Sequence, residues 1–115
     1  MKKIEIEEYV RTNTGKFDKV INNNYYIPQY IECEKGIVDK ENIVNHSKNL
    51  IDLIEVGDYV NGERILDITG DYMHTNETNH NKFYLEKHIK TILTKELYQA
   101  NCYTVERRKN VKNKR

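Results

Sequence analysis

The sequence has little of what marks most enzymes and metalloproteins. It contains two cysteines, one proline, one alanine and no tryptophan. It has no C-x-x-C, H-x-x-x-H or H-E-x-x-H spacing, with which many zinc sites place their ligands. It also lacks a glycine-rich phosphate loop, a nucleophile elbow and a kinase signature. We therefore expect no metal, no cofactor and no enzymatic activity.

Long apolar runs are missing as well. No stretch approaches the roughly 20 apolar residues that cross a bilayer, and the N-terminus does not have the pattern of a signal peptide. Cys33 and Cys102 lie far apart in the chain. We expect them to be reduced, buried thiols of a cytoplasmic protein without a membrane partner.

Charge is balanced in number but uneven along the chain. There are 19 basic and 18 acidic residues, yet residues 106–115 carry six basic groups and one acidic group. The remainder is mildly acidic. Because this terminal segment has almost nothing to bury, we predict that 106–115 is a disordered basic tail.

Two parts of the chain resemble each other. Glu8-Tyr9-Val10 is echoed 50 residues later by Asp58-Tyr59-Val60, and each segment is followed by a glycine turn and an apolar strand. The second turn, Asn61-Gly62, favours a type I′ hairpin because both central positions need positive φ. A period of this length indicates two similar supersecondary units. We predict a first β-rich unit over 1–55 and a second over 56–105.

Short strands, tight turns and one-turn helices together favour one fold class. We predict a mainly β protein with short helices, built from two SH3-like β-barrel units packed as one body. A single α+β sheet is the alternative. Local signals predict strands at 83–85 and 102–105, a mobile polar loop over 70–82, and helices over 48–53 and 95–100 with Ser47 and Thr94 as their N-caps.

A cluster of tyrosines around the single proline is the candidate binding surface. Tyrosine offers a large amphipathic contact area at low entropic cost, although half-buried tyrosines in small β proteins also serve the core. Two carboxylates follow the cluster closely. The predicted protein-binding residues are Tyr25, Tyr26, Tyr30, Glu32 and Glu34.

The basic tail supports an alternative, a nucleic-acid-binding module of SH3-like type. Its basic residues could neutralise phosphates and give binding that weakens steeply with salt. A solubilising terminus explains the same composition. The residues that this alternative assigns to nucleic-acid binding are Arg107, Arg108, Lys109, Lys112, Lys114 and Arg115.

The strings ENIVNHSKNLIDLIEVGDYVNG and EKHIKTILTKELY resemble segments of small uncharacterised proteins of phages and prophages from low-GC Gram-positive bacteria, clostridia in particular. The resemblance covers about residues 41–66 and 86–105. Its motifs carry no catalytic role, so no functional residues transfer. Lys, Asn, Ile and Tyr make up 50 of the 115 residues, a bias that also favours an AT-rich source.

The resemblance implies a gene from a mobile element, and small proteins of that kind often act by binding. We therefore predict a non-enzymatic, anti-CRISPR-like inhibitor in the host cytoplasm. It would occlude the nucleic-acid-binding or effector surface of a host protein or ribonucleoprotein complex. A further alternative is sequestration of a small signalling nucleotide between the two repeats, which a dry apolar pocket at their junction would favour.

Overall fold

The structure is a computed structural model that describes residues 3–102. The predicted basic tail, with all six of its candidate nucleic-acid-binding residues, lies outside these residues, as does nearly all of the predicted strand over 102–105. The described part is mainly β with short helices, as the sequence predicts. Its helices are all too short or too polar to span a membrane.

The first half, residues 3–53, forms one antiparallel sheet with strand order β4-β3-β2-β1-β5. Buried and exposed side chains alternate in β3: Ile31 and Cys33 are buried, whereas Tyr30 and Glu32 are partly exposed. Two short 3-10 helices, Lys40–Asn42 and Leu50–Leu53, flank the last strand. The strands are β1 (Tyr9–Thr12), β2 (Phe17–Asn22), β3 (Tyr30–Cys33), β4 (Gly36–Asp39) and β5 (Ile43–Ser47).

The second half, residues 54–102, forms two small antiparallel sheets with strand orders β11-β6-β7 and β10-β9-β8. Asn61 and Gly62 have φ angles of 53° and 86°, which confirms the predicted hairpin turn. The strands are β6 (Tyr59–Val60), β7 (Glu63–Arg64), β8 (Asp67–Thr69), β9 (Tyr72–His74), β10 (Asn79–Asn81) and β11 (Ile92–Leu93). The helices are α1 (Lys82–Glu86) and α2 (Lys95–Asn101).

The repeat is visible in the backbone of residues 4–10 and 54–60. The two segments read IEIEEYV and IEVGDYV. Glu7 and Gly57, at the same repeat position, both have positive φ, 74° and 100°. Each segment leads into the first strand of its half, and that strand pairs with the strand that lies between two short helices.

The side chains repeat the same turn device. In the first half, the Glu5 amide donates to the Glu8 carboxylate at 3.0 Å. In the second half, the Glu55 amide donates to the Asp58 carboxylate at 2.7 Å. A carboxylate that accepts from the amide three residues earlier therefore closes the turn before both first strands.

The described residues form two apolar clusters, and the second takes side chains from both halves. Phe17, on β2 of the first half, packs against the cluster of the second half. The first cluster comprises Ile4, Val10, Val20, Ile31, Cys33 and Ile43. The second comprises Ile51, Ile54, Val60, Ile65, Met73 and Leu85. Because Ile51 and Phe17 come from the first half, the second core is shared between the halves.

The predicted pair of closed SH3-like barrels is not confirmed. None of the sheets in residues 3–102 closes into a barrel. In the second half each strand has only two or three residues, so it supplies too few backbone hydrogen bonds to close a sheet on itself. The domain boundary at residue 55 stays a prediction.

Several local predictions were wrong. Residues 83–85 lie in helix α1, because the Asn81 side-chain oxygen Oδ1 accepts from the amides of Phe83 and Tyr84 and caps a helix there. Residues 70–82 contain β9 and β10 rather than a loop, because their backbones pair in register. Cys102 is exposed, not buried.

The two predicted N-caps had different outcomes. Thr94 caps α2 as predicted, because its Oγ1 accepts from the Leu97 amide at 3.3 Å. Ser47 does not cap a helix over 48–53; its Oγ accepts from the Asn49 amide, and the 3-10 helix begins only at Leu50.

Candidate binding site

The exposed tyrosine pair lies in the connection between β2 and β3. The rings of Tyr25 and Tyr26 have centroids 4.7 Å apart with an interplanar angle of 38°. Tyr26 is 81% exposed, while Tyr25 is partly buried. A hydrogen bond to Tyr26, burial and the negative charge of Glu32 raise the pKa of Tyr25. The pair therefore presents aromatic surface to solvent with a carboxylate close by.

The other three predicted residues extend this surface along β3. Tyr30 and Glu32 lie on the face opposite the buried Ile31 and Cys33. Glu34 is exposed in the turn after the strand. At about 3.3 Å per residue, the surface extends about 13 Å from Tyr30 to Glu34. We call Tyr25, Tyr26, Tyr30, Glu32 and Glu34 the aromatic–acidic surface.

A second feature is an open groove of about 720 Å³ where the two halves meet. One wall comes from β1, β2 and the turn between β3 and β4. The other wall comes from the segment before β11, from β11 itself and from α2. We call it the junction groove. Its larger apolar side chains are Phe17, Ile37, Leu50, Ile89, Ile92 and Leu97.

Four lysines, Lys16, Lys19, Lys35 and Lys90, line the same groove. None of them takes part in an ion pair formed within residues 3–102. The Lys19 ammonium lies 5.7 Å from the centroid of the Tyr9 ring, which also lines the groove. An apolar groove therefore has an excess of unneutralised positive charge around it.

Among the described residues that line the groove, two are carboxylates, Asp18 and Glu34. The Asp18 carboxylate accepts from the backbone amides of Lys19 and Lys35, at 2.8 and 3.2 Å. The bond to the Lys35 amide holds the Asp18 carboxylate at the turn between β3 and β4. Glu34 also lines the groove, so the junction groove and the aromatic–acidic surface share this residue.

A buried ion-pair network joins the halves beneath the groove. Arg11 on β1 and Asp58 before β6 are both fully buried. Arg11 Nη1 and Nη2 donate to the two Asp58 oxygens at 2.5 and 3.0 Å. Arg11 also donates to the Leu53 carbonyl at 2.9 Å and to Glu96 at 2.7 Å. Its burial acts to lower the pKa of Arg11, but these bonds and the nearby negative charges raise it.

All acceptor positions of Asp58 are used. Besides Arg11, its carboxylate accepts from the backbone amides of Glu55 and Lys95, at 2.7 and 3.0 Å. Next to it, the buried Thr94 hydroxyl donates to the Gly15 carbonyl at 2.8 Å. This network therefore fixes β1, β6 and α2 relative to one another and leaves Asp58 no free oxygen for proton transfer.

The histidines have local partners. His46 Nδ1 lies 2.7 Å from Glu8, and His80 Nε2 lies 3.2 Å from Glu63. His74 contacts Thr69 and Asn79 side chains. In the described chain, no three His, Cys, Asp or Glu side chains come together as a metal site.

The sequence predicted the aromatic–acidic surface but missed the Arg11–Asp58 pair and the lysines of the groove. The repeat singled out Asp58, and strand-entry geometry explains its bond to Glu55 but not its bond to Arg11. Nothing in the local pattern links two residues 47 positions apart. The lysines converge only through the packing of the halves.

Comparisons with known proteins add no relative: no family model, no curated protein and no solved structure matches the chain. The resemblance to phage and prophage proteins therefore stays a prediction.

Proposed function

We propose that the protein is a non-enzymatic binding protein of phage or prophage origin that inhibits a host defence complex in the host cytoplasm. In this proposal it is anti-CRISPR-like and occludes the nucleic-acid-binding or effector surface of that complex. The observation that supports it best is the exposed Tyr25–Tyr26 pair beside Glu32. Exposed aromatics of this kind are typical anchors of protein interfaces.

The chemistry of the surface fits a basic partner. Glu32 and Glu34 stand two residues apart in the sequence, and Tyr25 and Tyr26 contribute aromatic area near Glu32. A groove that normally holds nucleic acid is lined by Lys and Arg, whose charges attract such carboxylates and speed association. The tyrosine rings then supply buried contact area, and their hydroxyls can hydrogen-bond at the rim.

We also propose that the two halves derive from one duplicated SH3-like unit. The matching segments 4–10 and 54–60, with the same positive-φ position and the same carboxylate-to-amide bond, support this origin. So does the pairing of β1 with β5 and of β6 with β11.

The test is a plasmid transformation assay in a strain whose CRISPR–Cas system targets the plasmid. Expression of the wild-type protein is expected to restore transformation toward the level of an untargeted plasmid. The double variant Tyr25→Ala/Tyr26→Ala is expected to lose this effect. It should still fold, because the pair lies in an exposed connection outside both apolar clusters.

The chain offers a matched control in another exposed aromatic pair. Phe83 and Tyr84 on α1 are 71% and 61% exposed. The double variant Phe83→Ala/Tyr84→Ala removes a similar aromatic area and should keep the effect on transformation. The proposal is contradicted if the wild-type protein leaves immunity intact, or if the control variant loses inhibition while Tyr25→Ala/Tyr26→Ala retains it.

A further inference from the structure

We propose that the junction groove is a binding site for a small organic phosphate with a flat ring system, of the nucleotide class. This inference is independent of the proposed occlusion of a defence complex. It rests on three observations: the size of the groove, its apolar lining and the charge around it.

Size and lining fit a ligand with a ring. A volume of about 720 Å³ lies within the range of small-molecule sites, roughly 300–1,000 Å³. The Phe17 ring on one wall and the Ile92 and Leu97 side chains on the other offer apolar surfaces to a flat group. Tyr9, also in the lining, adds a second aromatic ring.

The charge selects an anion. Lys16, Lys19 and Lys35 come from the first half and Lys90 from the second, so positive groups stand on both walls. Lysine binds phosphate as a point charge, and a phosphate group carries up to about two negative charges. With Asp18 and Glu34 also in the lining, the four lysines leave an excess of two positive charges, of which a ligand with a single carboxylate would neutralise only half. A phosphate group neutralises more of this positive charge.

The groove also spans the junction that Arg11 holds together. Gly15 and Thr94, which are hydrogen-bonded to each other across the halves, lie in its lining. A ligand that contacts both walls binds only while the halves are packed, so it should stabilise the folded chain. Thermal unfolding therefore reports binding even without a known activity.

The experiment measures thermal unfolding and isothermal titration of the full chain with three probes: adenosine diphosphate, guanosine diphosphate and cyclic di-guanosine monophosphate. At least one probe is expected to raise the Tm and to give a measurable Kd. We expect binding to be at least about tenfold weaker for adenosine and guanosine, which lack phosphate, and for inorganic phosphate, which lacks the ring. Each of these compounds lacks one set of contacts with the groove.

Matched variants locate the site. Lys35→Glu/Lys90→Glu reverses two charges on opposite walls and should weaken the Kd at least tenfold. Ile37→Asp places a negative charge on the apolar lining at a residue that is exposed enough to tolerate it, and should weaken binding similarly. Lys40→Glu/Lys87→Glu makes the same double charge reversal at two exposed residues outside the groove lining and should leave the Kd within twofold.

Three outcomes would overturn the inference. The first is that none of the three probes binds, and the second is that inorganic phosphate alone binds as tightly as the best nucleotide. The third is that the groove variants bind like the wild type. Tyr25→Ala/Tyr26→Ala should bind the probes normally, since neither residue lines the groove. Failure of this inference is thereby separated from failure of the proposed occlusion.

Discussion

Replacing Asp58 by Ala tests how the two halves are held together. The substitution removes both charge-assisted bonds to Arg11 and the acceptor for the Glu55 and Lys95 amides. Arg11 stays fully buried, with Glu96 as its remaining close carboxylate. The buried Arg11 then loses its fully buried partner, and the partly exposed Glu96 and the more distant Glu55, at 3.7 Å, compensate its charge only in part.

Such a loss costs about 3–5 kcal/mol in proteins. The backbone amides of Glu55 and Lys95, which lose their acceptor, are only partly buried and can hydrogen-bond water instead. We therefore place the total cost of Asp58→Ala in the same range. A domain of this size has a free energy of unfolding of about 5–15 kcal/mol. The substitution should therefore remove a large share of the stability.

The assay is urea unfolding followed by circular dichroism, with the free energy extrapolated to water. Glu8→Ala is the control at the equivalent repeat position, where the carboxylate bonds Glu5 and His46, and it should cost only about 1 kcal/mol. Replacing Arg11 and Asp58 together by Met and Leu should recover most of the loss, because no buried charge is then stranded. A cost below about 1 kcal/mol for Asp58→Ala would refute this reasoning.

Three further outcomes can be measured. Gly15 and Gly62 have nearly equal φ, 85° and 86°, but an added Cβ would meet the Glu96 Cβ at 2.8 Å only at Gly15. In the same urea assay, Gly62→Ala should lower the free energy of unfolding by about 1–2 kcal/mol, and Gly15→Ala should lower it clearly more. Burial acts to raise the pKa of Glu8, but hydrogen bonding lowers this pKa below its ordinary value of 4.5. The stability advantage of wild type over Glu8→Gln should therefore be full above pH 4.5 and shrink as the pH falls through the lowered pKa. Burial and neighbouring carboxylates raise the pKa of Cys33 to about 11, so in a Cys102→Ser background its thiol should react with Ellman's reagent at pH 8 only after unfolding; fast reaction in the native protein contradicts this.

Local signals in the sequence predicted much of the fold. The Asn61-Gly62 turn depends on the backbone conformation of two adjacent residues, and the Thr94 cap depends on a side chain three residues from its partner. Both are as predicted. The helix at 83–85 was missed because Phe and Tyr favour strands, whereas the Asn81 cap decided the outcome. A strong local propensity was thus overridden by one hydrogen-bonding side chain.

Long-range pairing explains what the sequence could not predict. An arginine in a strand is normally assigned to the exposed face, yet Arg11 is fully buried because Asp58 and Glu96 reach it from the other half. The members of the aromatic–acidic surface could be grouped from the sequence because they lie within ten residues of one another, and their role in binding stays a prediction. The lysines of the junction groove could not be predicted, because Lys35 and Lys90 come from different halves and line the groove together only in the folded chain.

Hydrogen–deuterium exchange on the protein alone and in the presence of the defence complex that we propose as its target tests the binding surface most directly. The account predicts slower exchange on complex formation in residues 24–34, which carry the aromatic–acidic surface. Residues 82–88, which carry the alternative exposed aromatics, should exchange at the same rate in both states. Protection of residues 82–88 without any change in residues 24–34 would contradict the account.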